Sequence, residues 1–258
     1  MFMDSHTHLS HNQFDHDRPE LLEQMRKTGV GRILEIPIDF DSNYVMREKL
    51  RIFPETKFAV GVHPTRLEQP EDCDGWMEHF RKLALLDDSA AIGEVGLDHH
   101  VPGSEDTWGL QEEWFHRFID LAREVDLPLV LHIRQAHEDA MRILLQHGNH
   151  YRGVVHCFDG SIEEAEEFMD LGFYLGVGGK MTRESRGLAE VVRQIPLDRI
   201  LLETDCPFLT PNPLSGRNSP VNIPLIAQMI ADLKGIDVSV VEKITTRNAE
   251  TLFGFTTD

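Results

Sequence analysis

The opening run Met3-Asp4-Ser5-His6-Thr7-His8 places two histidines one residue apart. Alternate side chains of an extended strand share a face, so His6 and His8 direct two imidazoles at one point, as a metal ion requires. The chain has 14 histidines in 258 residues, and a lone strand-end histidine is more often a hydrogen-bonded structural residue. The pair reads differently, because both rings would otherwise be polar groups without partners on one inward face. Four further candidates, Glu94, His132, His156 and Asp205, each sit just after an apolar run. Six nitrogen and oxygen donors from separate strand ends describe a hydrolytic site for two divalent cations.

Each candidate carries its own chemical argument. Glu94 lies within Ile92-Gly93-Glu94-Val95-Gly96-Leu97-Asp98, where a buried carboxylate is costly unless paired or coordinated. Its two oxygens suit a bridge between cations about 3.5–4 Å apart. His132 and His156 end runs of Val and Leu, and a shared metal would satisfy both rings. Asp205, alone, reads equally as a turn former before Pro207. Within the set it is expected to bind metal and accept the proton of a water, which makes Asp205 and Glu94 the expected catalytic residues. Two bound cations would acidify that water and polarise the bond under attack. No Ser-centred motif such as G-x-S-x-G is present. Mixed imidazole and carboxylate donors accept Mg, Mn, Zn, Ni or Fe, so the identity of the cations stays open.

Such residues meet only if the fold brings strand ends together. Strand-length apolar runs alternate with segments of helical period throughout. Strands are expected to end near His8 and to span Arg32–Pro37, Lys57–His63, Ala90–Gly96, Pro128–His132, Gly153–His156, Phe173–Val177 and Arg199–Thr204. Helices are expected over Pro19–Lys27, Ser42–Phe53, Trp76–Leu86, Leu110–Val125, Ala136–Gln146, Ile162–Leu171, Ser185–Ile195, Val221–Leu233 and Val238–Phe253. Eight strands with interleaved helices indicate an α/β (β/α)8 TIM barrel, with the metal site at the C-terminal ends of its strands. An open doubly wound sheet is the alternative, but donors after strands one, four, five, six and eight suit a closed rim better. No linker-like stretch divides residues 1–258, so one domain is expected.

Composition bounds the rest. Hydrophobic residues make up 41%, enough for a core, yet no apolar run is long enough to span a membrane. Met1-Phe2-Met3-Asp4 lacks the pattern of a signal peptide. Three cysteines, Cys73, Cys157 and Cys206, without C-x-x-C spacing, fit a reducing, cytoplasmic setting better than a disulfide framework. Cys157 and Cys206 are read as small buried neighbours of the site rather than reactive thiols. The formal charge of −19 opposes a nucleic acid at long range, so an anionic substrate would need bound metals and local arginines. The acidic run Glu163-Glu164-Ala165-Glu166-Glu167 reads as a solvated helix face. No exposed apolar stripe declares an interface, and a monomer without an obligate protein partner is expected.

With these motifs assembled, nearly the whole chain resembles the TatD-type family of metal-dependent hydrolases, inside the amidohydrolase-like superfamily. The resemblance rests on Asp4-Ser5-His6-Thr7-His8-Leu9, Gly61-Val62-His63-Pro64, Gly93-Glu94-Val95-Gly96-Leu97-Asp98, His156-Cys157-Phe158-Asp159-Gly160 and Glu203-Thr204-Asp205-Cys206-Pro207-Phe208-Leu209. It implies one metal held by His6, His8, Glu94 and Asp205, and another held by Glu94, His132 and His156. It also implies a deoxyribonuclease acting on DNA from the 3′ end, in the manner of a 3′-5′ exonuclease, with magnesium. A metal-dependent ester or amide hydrolase of a small substrate is the alternative, since the same donors serve attack at carbonyl carbon.

The family's pattern also suggests substrate contacts. His63 matches a histidine of its third-strand motif, either contacting phosphate or tuning a ligand, or else satisfied by backbone. Arg134 occupies the place of the family's His-x-Arg and is a candidate phosphate contact. Arg217 and Asn218, in Arg217-Asn218-Ser219-Pro220, are candidate anion contacts, although Ser219 replaces the usual acid. Gln135 likewise departs from an acidic position. His99 and His100, where aromatic residues are common, are expected on an exposed loop.

Overall fold

Eight parallel strands follow one another round a single sheet in sequence order: β1 (Phe2–Thr7), β2 (Val30–Glu35), β3 (Thr56–Val60), β4 (Ser89–Asp98), β5 (Leu129–Arg134), β6 (Gly153–His156), β7 (Phe173–Val177) and β8 (Ile200–Leu202). The computed structural model describes residues 1–70, 72–103, 105–183 and 187–255. Between the strands run α1 (Arg18–Lys27), α2 (Ser42–Leu50), α3 (Cys73–Ala84), α4 (Trp108–Glu124), α5 (His137–His147), α6 (Ile162–Asp170) and α7 (Leu188–Gln194). Helices α8 (Ile223–Lys234) and α9 (Val238–Phe253) follow β8. The ring closes where Thr7 bridges Cys206, with the Asp205 N–H donating to the His6 carbonyl (3.0 Å) and the His8 N–H to that of Cys206 (2.9 Å). The expected (β/α)8 barrel is what forms.

Two apolar layers hold the barrel. Outside the sheet, the helices bury their inward stripes. In α4, Trp114, Phe115, Phe118, Ile119 and Leu121 are all buried, and truncating Trp114 or Phe118 to alanine would cost about 3–5 kcal/mol. A second cluster joins Met3, Leu34, Ala59, Val130, Val154 and Leu201 to Ala249, Leu252 and Phe253 of α9. Strand alternation then matters. Two residues beyond Val130, Val154 and Leu201 stand His132, His156 and Glu203, so one face changes from apolar plug to polar mouth.

Several ends differ from expectation for local reasons. Strand β4 continues past Gly96 to Asp98, because Gly96 pairs with His132 and Asp98 with Arg134. Gly96 has φ +137°, and a Cβ there would lie 2.2 Å from the His132 carbonyl oxygen, so only glycine permits this approach. Strand β8 stops at Leu202 rather than Thr204, whose N–H and hydroxyl donate instead to the Asp4 carboxylate at 3.0 and 2.5 Å. Helix α3 begins at Cys73, ahead of Trp76, where the Asp72 carboxylate accepts from the Gly75 N–H. The expected helix start at Ser185 lies outside the described residues. In α6 the acidic run is solvent-facing at Glu163, Glu166 and Glu167, while Glu164 closes a capping box with Ser161. Among the described residues no helix is long and apolar enough to cross a membrane.

Candidate metal centre

At the C-terminal ends of the strands lies a cavity of about 640 Å³, lined among others by His8, His63, Glu94, Asp98, His132, His156 and Asp205. Glu94, from β4, stands at its centre and is almost wholly buried. Its two oxygens face different partners. Oε1 lies 2.7 Å from His132 Nδ1, 3.6 Å from His156 Nε2 and 3.7 Å from His63 Nε2. Oε2 lies 3.3 Å from His6 Nε2 and 4.0 Å from His8 Nε2. Burial raises the Glu94 pKa, but the surrounding imidazoles outweigh it and hold the carboxyl well below its usual range.

Asp205 meets the same two nitrogens, His6 Nε2 and His8 Nε2, that Glu94 Oε2 faces. It follows β8 in a left-handed conformation (φ 56°), and its Oδ1 lies 3.3 Å from His8 Nε2 and 3.7 Å from His6 Nε2. Against the effect of burial, the hydrogen bond to His8 and the nearby rings of His156 and His6 depress its pKa. The six expected ligands therefore converge, and they do so as two sets. His6, His8 and Asp205 have donor atoms within 4.8 Å of one another, as have Glu94, His132 and His156.

The donor chemistry fits cations. Both ring nitrogens of His6 are buried without a hydrogen-bond partner, a costly state that coordination would relieve. Its ring stacks on that of His156, with centroids 3.5 Å apart and planes at 18°. Burial, then His156, push the His6 pKa down, which favours the neutral ring that a ligand must be. His8 Nδ1 lies 3.0 Å from the Ile36 carbonyl, which leaves Nε2 for the centre. Coordination of these residues would make the mouth a Lewis-acid centre.

Two buried carboxylates that the sequence reading did not single out support the rings. Asp98 Oδ2 lies 2.9 Å from His132 Nε2. Burial opposes its charge, but the hydrogen bonds from His132 and from the His100 N–H prevail and hold its pKa at about 2. Glu203 Oε1 lies 3.1 Å from His156 Nδ1 and accepts from the Cys157 N–H at 2.6 Å. Both were findable by strand alternation: Asp98 is four residues beyond Glu94, and Glu203 is two beyond Leu201 and two before Asp205.

The other expected contacts divide. Arg134 lines the cavity, as does His63. His63 Nδ1 accepts from the Thr65 N–H (3.1 Å), so the backbone does satisfy one nitrogen while the other faces Glu94. Burial, then His132, push its pKa down to about 3. Arg217 and Asn218, expected as anion contacts, do not line the cavity. Arg217 pairs with Asp17 through both terminal nitrogens and lies over Phe14, 4.3 Å from the ring centroid. Asn218 is fully buried, and its amide donates to the Thr204 carbonyl while its oxygen accepts from Ser219 N–H and Asn222. His99 is not on an exposed loop either: its ring stacks on Trp108 at 4.0 Å, whereas His100 is exposed. Burial pushes the Cys157 and Cys206 thiols far up, as expected of unreactive neighbours.

A parallel barrel whose mouth gathers five histidines with Glu94 and Asp205 defines a metal-dependent barrel hydrolase. The profile of the family described as TatD related DNase matches residues 3–254, and the chain belongs to that family. The uncharacterized metal-dependent hydrolase YabD of Bacillus subtilis is 38% identical over 257 residues, spanning 98% of this chain and 99% of its own. The 3′-5′ ssDNA/RNA exonuclease TatD of Cronobacter sakazakii is 35% identical over 257 residues, spanning 95% of each chain. Among solved structures, the TatD homolog YJJV of Escherichia coli K12 superposes with a TM-score of 0.89 at 28% identity, covering 99% of this chain and 98% of that one.

Proposed function

We propose that the protein is a deoxyribonuclease that removes nucleotides from a 3′ end by hydrolysis at a centre of two divalent cations. The observation that carries the reading is Glu94, whose Oε2 faces His6 and His8 while its Oε1 faces His132, His156 and His63. One cation would be held by His6, His8, Glu94 and Asp205, the other by Glu94, His132 and His156. Bound cations supply Lewis-acid polarisation of the phosphoryl group and acidification of a water.

The protein's own residues do the rest. Ionised Asp205 orients the attacking water and accepts its proton. The water oxygen bonds to phosphorus, the P–O3′ bond to the penultimate sugar breaks, and that O3′ takes up a proton. Arg134, exposed at the end of β5, binds two oxygens of a phosphate bidentately. The similarity to a named 3′-5′ ssDNA/RNA exonuclease supports phosphodiester chemistry at this centre. Attack on a carboxylic ester or amide would use the same donors, and the cationic side chains at the mouth favour the phosphodiester.

The test is protein reconstituted with Mg²⁺, Mn²⁺ or Zn²⁺ and offered single-stranded DNA beside a panel of esters and amides. The expected result is metal-dependent release of 5′-mononucleotides, reduced about 10²–10⁴-fold in Asp205→Asn. Robust ester turnover with the DNA left intact would overturn the proposal in favour of the ester hydrolase.

A further inference from the structure

Charge at the mouth is divided by position. The carboxylates lining the cavity are Glu94, Asp98 and Asp205, all members of the ligand clusters. The cations lining it are Arg66, Arg134, Lys180 and Arg183. Lys180 pairs with Asp159 at 2.8 Å, but the side chains of Arg66, Arg134 and Arg183 form no ion pair among the described residues. Elsewhere on the surface arginines readily find acids, as Arg81 does with Glu124 and Arg142 with Glu112. With 44 acidic residues against 25 basic ones, three guanidinium groups lining one cavity without a salt bridge among the described residues are a local concentration of positive charge. Arg66 and Arg183 follow β3 and β7, and Arg134 ends β5, so they occupy an arc of the rim.

Beyond β8, which neighbours β7 in the barrel, Phe208 also lines the cavity. It is 44% exposed, yet its position is fixed, because its N–H donates to the Asp205 carbonyl at 2.9 Å. Its ring meets those of His11 and His8 edge-on, with centroids 5.8 and 6.1 Å away. A solvent-facing aromatic ring three residues from a catalytic carboxylate, in the same cavity as a guanidinium arc, matches a ligand that is planar and apolar at one end and repeatedly anionic along its length. A nucleotide chain has that form: any base offers a π face, and its phosphates take bidentate guanidinium contacts.

Resting on the nuclease reading, we infer that Phe208, Arg66 and Arg183 are specificity-determining residues. Phe208 stacks on the base of the terminal nucleotide, and Arg66 and Arg183 extend the contact begun by Arg134 to further phosphates of the strand. A small ester needs none of the three.

The test uses the full-length, metal-loaded protein with three substrates: a single-stranded oligodeoxynucleotide of about ten residues, the same strand with a 3′-terminal abasic residue, and a dinucleotide. Phe208→Ala is expected to raise KM for the intact strand about tenfold, with the loss confined to KM, and to leave KM for the abasic strand unchanged. Phe208→Trp restores the wild-type value. Should Phe208→Ala fail to fold, Phe208→Leu retains apolar bulk without a π face and gives the same comparison. Arg66→Ala and Arg183→Ala are expected to raise KM for the long strand, not the dinucleotide, and each to flatten the slope of log affinity against log salt by about 0.7. Equal KM changes on intact and abasic strands, or an unaltered salt slope, would overturn this inference while leaving the nuclease reading intact. A wild-type protein that cleaves no strand at all would overturn both.

Discussion

His156 Nδ1 lies 3.1 Å from Glu203 Oε1, so the nitrogen that faces the centre is Nε2. The carboxylate sits in a gap that only glycine leaves: a Cβ on Gly176 would be 2.2 Å from Glu203 Oε2. Orientation of a ligating imidazole by a buried acid raises its basicity and fixes its tautomer. Glu203→Gln is therefore expected to weaken metal retention about 10–100-fold, measured by competition with a chelator, without loss of the fold. Unchanged metal affinity in a folded variant would remove Glu203 from the centre.

The same carboxylates set a pH dependence for the metal-free protein. Burial disfavours charged His8 and His156, but Asp205 outweighs it at His8, and Glu203 and Glu94 at His156, holding the pKa values up at about 9 and about 10. A folded pKa above the unfolded 6.5 means these imidazolium groups stabilise the fold fully below that value, and the contribution is lost as pH rises through 9 and 10. Asp4, raised by burial to about 8, acts in the same direction. His63, pushed down to about 3, acts oppositely and only below 6.5. The Tm of chelator-treated protein should thus fall between about pH 6.5 and 10. Added Mn²⁺ should restore more of it at the alkaline end, since binding displaces those protons. A flat or rising metal-free Tm across that range would contradict the assignment.

What the sequence made legible follows from which signals are local. Polar residues closing apolar runs announced His132, His156 and Asp205, because a buried polar end needs a partner whatever the rest of the chain does. Asp98 was obscured by a strand end. Gly96 looked like the close of β4, whereas its positive φ lets the strand pass within reach of the His132 backbone and continue to Asp98. Glu203 was overshadowed by Asp205 in the same motif, though both share the inward face. The Arg217–Asp17 pair joins residues two hundred positions apart, and no periodicity reports such a contact. The arc of Arg66, Arg134 and Arg183 arises only when strands three, five and seven share a rim.

Gly96 offers a direct check on that reading of β4. Alanine there must either leave the φ of +137° or push the His132 carbonyl away. Backbone strain of this kind costs about 1–3 kcal/mol, so Gly96→Ala should lower the Tm and also displace His132 from Glu94 and Asp98. A loss of metal affinity exceeding that of an equally destabilising core substitution, such as Ile119→Val, would locate the damage at the centre. Equal losses would make the effect one of general stability.

Arg134 and Arg217 make the sharpest contrast between sequence pattern and three-dimensional placement. Both belong to motifs that suggest anion contacts, yet only Arg134 lines the cavity, while Arg217 ties the segment after β8 to Asp17 at the start of α1 and covers Phe14. Arg134→Ala should therefore raise KM for a DNA strand about tenfold or more, the loss of one charge-assisted contact, with little change in Tm. Arg217→Ala should do the reverse. The partly exposed pair contributes on the order of 1 kcal/mol to stability, and its loss should depress the Tm by a few degrees while KM stays within about twofold. Steady-state kinetics and thermal melts on the two variants decide the matter. A large KM effect in Arg217→Ala with an unchanged Tm would mean that this guanidinium leaves Asp17 to meet the substrate.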